Sequence, residues 1–173
     1  MEYKINIHAH TIFSDGFNTP YVMAVMAKKL GFTALVITDH YYGRDTPFMN
    51  KEGRRLQKKA IQEAKHVLPV ITGIEIPFME QEILVFGGAV VNWILEKGLP
   101  LNAQCLADYN CATVLCHPGA DYEKVLPYVD AYERYNSGND FFKDRTIPNG
   151  LQGWCNSEYD KDDWKSSCSS FRF

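Results

Sequence analysis

Short apolar runs alternate with helix-length amphipathic segments along most of the chain. Tyr3 to Ile7 alternates in polarity and is rich in β-formers, which predicts a first strand. Thr19 and Pro20 read as the N-cap and first residue of an apolar helix, Tyr21 to Leu30, closed by Gly31. Phe32 to Thr38 (FTALVIT) is a continuous apolar run, the signature of a strand buried on both faces. Lys51 to Val67 predicts a charged amphipathic helix, and Leu68 to Ile76 contains another strand. Strands follow at Glu82 to Phe86, Ala112 to Cys116, Ala131 to Tyr135 and Leu151 to Cys155. Between them, helices are expected at Ala89 to Lys97, Leu101 to Tyr109, Tyr122 to Tyr128 and Asp140 to Thr146. Strands separated by helix-length segments predict an α/β fold of parallel βαβ units with right-handed crossovers. No repeat, low-complexity tract or long linker divides the chain, so residues 1–173 are expected to form a single domain.

The polar residues that interrupt this pattern fall where strands end. In parallel α/β architectures, functional groups collect at the C-terminal ends of the strands. INIHAH puts His8 and His10 at the end of the first strand, two apart and therefore on one face. LVITDH ends a strand at Asp39 and His40, VITGIEI ends one at Glu75, and TVLCHPG ends one at His117. A lone histidine at a strand end is commonly a satisfied structural residue. Four strand ends supplying imidazole or carboxylate to one mouth form a set that chance does not readily produce. Imidazole and carboxylate are ligands for zinc, manganese and iron, and several of them from different strands suit a multinuclear hydrolytic centre. His66, inside a charged helix, reads as a surface residue, and Cys116 as a small core residue. Lys28, Lys29 and the run Arg54 to Lys59 read as solvated helix faces.

The formal net charge of −3 argues against a general polyanion-binding surface. A local phosphate site stays compatible with it, because bound metal ions add positive charge that a residue count omits. The five cysteines are odd in number and form no CxxC pair. With no signal-peptide pattern at the start, they predict reduced thiols in a cytoplasmic protein. No apolar run approaches the roughly 20 residues needed to span a bilayer.

The segments HAHTIFSDG, VITDH, GIEI and CHPG, in that order, resemble the successive motifs of the PHP (polymerase and histidinol phosphatase) family. AYERYNS, residues 131–137, is similar to the family's strand ending in Glu-x-x-Asn, and CNSEYDKDDW to its closing Ser-Asp-x-His motif. The resemblance implies a distorted seven-stranded, TIM-like (βα) barrel with up to three divalent metals at the C-terminal mouth. It also implies hydrolysis of phosphoester bonds. Carried over by motif, His8, His10, Glu75 and Glu158 would hold one metal. Glu75 and His117 would hold a second, and Asp15, His40 and Asp160 a third. Glu158 and Asp160 stand where the family has Asp and His. Leu84 stands at the place of another family histidine, which would leave the second metal short of a ligand.

The expected activity is that of a metal-dependent phosphoesterase using two or three zinc, manganese or iron ions to activate a water. Arg44 and Lys51, in the polar segment after VITDH, are the expected substrate contacts, because that loop overhangs the mouth. Tyr41 and Tyr42 in the same segment are expected to pack rather than stack on a base. The lack of a basic, aromatic stretch favours a mononucleotide, a phosphosugar or a short nucleic-acid end over an extended nucleic acid. Two other readings stay open. Metal-activated water also attacks esters and amides, and the altered closing motif fits a non-catalytic module that keeps metals for structure and binds a partner.

Overall fold

The computed structural model describes residues 3–43, 50–98, 106, 108–109, 111–135, 152–155 and 170–171. Among the described residues, the strands and α-helices follow one another as β1 (Tyr3–Asn6), α1 (Pro20–Lys29), β2 (Ala34–Ile37), α2 (Lys51–Ala64), β3 (Val70–Phe78), β4 (Gln81–Phe86), α3 (Gly88–Lys97), β5 (Ala112–Leu115), β6 (Ala131–Tyr135), β7 (Gln152–Cys155) and β8 (Ser170–Phe171). They make one mixed sheet in the order β7-β6-β5-β4-β3-β2-β1-β8. Its body, β1 to β6, curls into a half-barrel.

The helices begin where local chemistry favours them. Thr19 accepts a hydrogen bond from the Val22 amide with Pro20 at the first helical position, and Asn50 caps α2 through the Gly53 amide. The sequence expects one short helix over Tyr122 to Tyr128. The chain instead makes two 3₁₀ turns, Tyr122–Lys124 and Leu126–Tyr128. Pro127 lacks the amide proton a continuous helix would use there. The expected helices at 101–109 and 140–146 lie wholly or mostly outside the described residues.

The strand directions correct the all-parallel expectation. β1 pairs parallel with β2, β2 with β3, β5 with β6 and β6 with β7. β4, however, runs antiparallel to both β3 and β5. The cause is local: only Met79 and Glu80 separate β3 from β4, and a two-residue connection can only return the chain antiparallel. Both residues have positive φ, 50° and 65°, the left-handed pair that such a hairpin turn demands. Because β4 is inverted, its first residues, not its last, lie at the edge where the parallel strands end.

Three apolar clusters hold the sheet. One gathers α1 and α2 over the β1–β3 half through Met23, Ala27, Leu35, Ile37, Ile61 and Val70. A second packs α3 and the 3₁₀ turns on β3 to β6 through Ile74, Ile76, Ile83, Val85, Ile94 and Leu115. A third lies on the opposite face: Ile7, Val36, Leu84, Val114, Cys116 and Ala131, with Ile5 and Phe86 against it. Gly73 lets that face close, since a Cβ there would lie 2.7 Å from the Phe86 ring and 3.0 Å from Thr38 Cγ2. This third cluster is the floor on which the polar site rests. No helix of the described residues is long and apolar enough to cross a membrane.

Candidate metal centre

Glu75 is the hub of the site. It lies in β3, two residues beyond Gly73 on the same face, and is fully buried. Its Oε2 is 3.0 Å from His8 Nε2, 3.0 Å from His10 Nε2 and 3.2 Å from His40 Nδ1. Its Oε1 is 3.1 Å from His117 Nε2. Burial pushes the carboxyl pKa up. Charge on His8 and hydrogen bonds from His10, His117 and His8 outweigh that and hold Glu75 well below the usual carboxylate range. A buried carboxylate encircled by four imidazoles is therefore an anion.

The histidines are held from behind. His8 Nδ1 lies 2.6 Å from Glu133 Oε1, a buried carboxylate on β6. A carboxylate can only accept, so it fixes a proton on Nδ1 and turns Nε2 toward the cluster. Nε2 faces His10 Nε2 at 2.8 Å as well as Glu75. The other oxygen of Glu133 accepts from the His117 amide at 3.0 Å. His117 has a φ of 22°, at the edge of the left-handed region, a strained setting that costs on the order of 1–3 kcal/mol for a residue other than glycine. Gln81 at the start of β4 braces the following loop, accepting from Gly119 N and donating to Ala120 O.

A second carboxylate, Asp39, builds the opposite wall. Fully buried after β2, it accepts from the Thr11 amide (2.6 Å), Thr11 Oγ1 (2.8 Å), Ser14 Oγ (2.7 Å) and Gln57 Nε2 (2.6 Å). These bonds tie down the loop after β1, which doubles back so tightly that a Cβ on Gly16 would stand 2.4 Å from the His10 carbonyl oxygen. The loop holds Asp15 over the imidazoles, 3.4 Å from His10 Nδ1 and 3.6 Å from His40 Nε2. The His10 and His40 rings stack with centroids 4.3 Å apart, and Tyr42 stacks on the far side of His40 at 4.9 Å. Burial, then the neighbouring carboxylates, led by Glu82, raise the Tyr42 pKa well above its ordinary value, so its hydroxyl stays a donor.

Of the residues singled out in the sequence, His8, His10, Asp15, His40, Glu75 and His117 come together in one cluster. Glu158, Asp160 and Arg44 lie outside the described residues. Lys51 opens α2 as an exposed residue and makes no ion pair with the cluster among the described residues. His66 is exposed and Cys116 is buried in the floor, as expected. Tyr41 packs into the core, but Tyr42 stays more than half exposed at the site, which corrects the expectation that both pack. The run from Arg54 to Lys59 is also not uniformly solvated: Arg54 donates to the Leu95 carbonyl, and Gln57 is buried against Asp39.

Leu84 is buried in the floor and carries no polar group to the cluster. Glu82, two residues earlier on the same face of β4, does so, with Oε2 3.4 Å from His117 Nε2 and Oε1 3.8 Å from His40 Nδ1. The sequence reading missed Glu82 because it expects functional groups at the C-terminal ends of parallel strands. It also gave Glu133 no role, although that residue ends the AYE of a recognised segment. The signal available for Glu82 was the two-residue spacing between the IPF and QEI runs, which fixes a hairpin.

The donor set fits divalent metal ions. His8 Nε2, His10 Nε2 and Glu75 Oε2 converge within 3.0 Å of one another. Ligands of one ion at about 2.0–2.2 Å stand roughly 3.0–3.5 Å apart, and the site's contacts cluster near that spacing.

Comparison with solved structures gives the same fold. A candidate metal-dependent phosphoesterase from Bifidobacterium adolescentis matches with a TM-score of 0.50 at 15% identity, over 86% of this chain and 92% of that one. A two-domain protein from Bacteroides vulgatus, described as containing a PHP-like metal-dependent phosphoesterase, matches with a TM-score of 0.61 at 16% identity. That match covers 91% of this chain and 52% of the two-domain one. A comparison with curated proteins returns no match. The PHP domain family matches residues 6–162, a stretch containing every histidine and carboxylate gathered around Glu75, and the chain belongs to that family.

Proposed function

We propose that this chain is a metal-dependent phosphoesterase whose divalent ions sit around Glu75. The observation that carries the reading is the convergence of four imidazoles on both oxygens of one buried, ionised carboxylate. In this reading the curled sheet belongs to a distorted seven-stranded barrel with the ions at its mouth. His8, His10 and Glu75, with Glu158, hold one ion, Glu75 and His117 hold a second, and Asp15 and His40, with Asp160, hold a third. Such ions supply an activated water for attack on phosphorus and positive charge against the phosphoryl oxygens.

The chain's own residues prepare the site for that chemistry. Glu133 keeps the His8 ring turned so that its Nε2 faces Glu75. The Asp39 network keeps Asp15 over His10 and His40. The Tyr42 hydroxyl, protonated across the neutral range, is placed to donate to an oxygen of the substrate entering beside His40. A net charge of −3 suits a small phosphorylated substrate or a nucleic-acid end better than an extended nucleic acid. Arg44 and Lys51 are the proposed contacts for its phosphate.

The test is elemental analysis of protein purified without chelator or nickel column, followed by assay on p-nitrophenyl phosphate and bis(p-nitrophenyl) phosphate. About two or three ions per chain are expected, with hydrolysis of one ester, and both lost in His8→Ala/His10→Ala. Protein that stays empty when supplied with zinc, manganese or iron contradicts the reading. Protein that binds the ions yet hydrolyses neither ester, nor nucleotides or phosphosugars, points to a non-catalytic module.

A further inference from the structure

Resting on the metal-centre reading, we infer that Glu82 is a ligand of the ion held by Glu75 and His117, and that its carboxylate biases this position toward hard ions such as manganese(II) over zinc. Glu75 and Glu82 face the same two imidazoles, each presenting one oxygen to His117 and the other to His40. The Glu82 distances of 3.4 and 3.8 Å are too long for good hydrogen bonds, which run about 2.7–3.2 Å. The 3.4 Å separation from His117 falls within the range for two ligands of one ion.

Distance decides which ion Glu82 serves: its carboxylate stands nearer His117, at 3.4 Å, than His40, at 3.8 Å. His40 Nδ1 is already engaged by the Tyr42 hydroxyl at 2.9 Å, while its Nε2 faces Asp15. Glu82 therefore stands with Glu75 and His117. Register explains its reach. Glu82 opposes Pro77 on the strand inverted by the hairpin, so it stands one side-chain layer above Leu84, which opposes Glu75. With Glu82 present, the position is built from two carboxylates and one imidazole. Oxygen-rich sets suit manganese and magnesium, whereas imidazole and thiolate favour zinc.

The test is equilibrium binding of manganese(II) and zinc(II), singly and in competition, to the full chain and to the Glu82→Gln and Glu82→His variants. Bound metal is read by elemental analysis. The side chain of Glu82 is 27% exposed, so both variants are expected to keep the circular dichroism spectrum and melting temperature of the parent. Glu82→Gln is expected to weaken one ion about 10–100-fold while leaving the others in place. Glu82→His is expected to restore that ion and to move the bound manganese-to-zinc ratio toward zinc about tenfold. Unchanged stoichiometry, affinity and ratio in both variants overturn the inference and leave the metal centre standing. So does loss of the fold in both, which assigns Glu82 a structural role. A parent chain that binds neither ion overturns the metal centre itself, and the inference with it.

Discussion

The parallel strands and the inverted strand bring side chains to the same cluster by opposite rules. On β1, β2 and β5 the polar residue follows the end of the strand: His8 and His10 after Asn6, His40 after Ile37, His117 after Leu115. On β4 it comes near the beginning, at Glu82, and the end of that strand, Phe86, is part of the apolar floor. The parallel side is braced by buried carboxylates, Glu133 behind His8 and Asp39 behind the Asp15 loop. The inverted side is braced by a partly exposed tyrosine and by a glutamine that pins the His117 loop. One side thus rests on buried carboxylates, and the other is partly open to solvent.

That contrast can be tested on each side and at the seam. The largest effect is expected on the side held by buried carboxylates. Glu133→Gln removes the charged partner of His8 Nδ1 and allows the amide to turn its NH₂ toward the ring, so metal affinity should fall about 10–100-fold. Titration with manganese or zinc checks this, and an unchanged affinity would show that His8 is not oriented from behind. Next comes the seam. Gly73→Ala places a Cβ against Phe86 and Thr38, and should destabilise the fold by about 1–3 kcal/mol, read by urea denaturation. If stability holds, β4 can shift to make room, and the floor is less tightly closed than its packing indicates. The smallest effect belongs to the turn that inverts β4. Glu80→Gly relieves a left-handed φ of 65° and should raise stability by about 1 kcal/mol without changing metal binding. A loss of stability would mean that the Glu80 side chain contributes more than the backbone costs.

Much of the site was legible because apolar runs ending in histidine are visible without a structure. His8, His10, His40 and His117 each follow such a run, and each reaches the cluster around Glu75. The strands themselves were equally visible, since their cores are blocks such as ALVI and ATVL that match no amphipathic helix. Direction was not visible in those blocks. Whether β4 runs with or against β3 depends on two residues, Met79 and Glu80, that lack the Asn-Gly signal of a tight hairpin and adopt positive φ regardless. The parallel sheet and the silence on Glu82 follow from that one omission, whereas Leu84 is singled out by the family resemblance alone. Glu133 and Gln57 escaped for another reason. Glu133 touches His8 Nδ1 and the His117 amide, and Gln57 touches Asp39 Oδ2, all across the fold, and no local pattern announces such contacts.

The central claim is that Glu75 is the anionic hub of a divalent-metal centre, and anomalous X-ray scattering from crystals grown with manganese(II) tests it most directly. The account expects anomalous peaks within about 2.0–2.4 Å of both Glu75 oxygens, one of them bounded by His8 and His10 and another by His117. Crystals in which Glu75 touches no anomalous scatterer, while manganese is in excess and the histidines keep their present contacts, would contradict it.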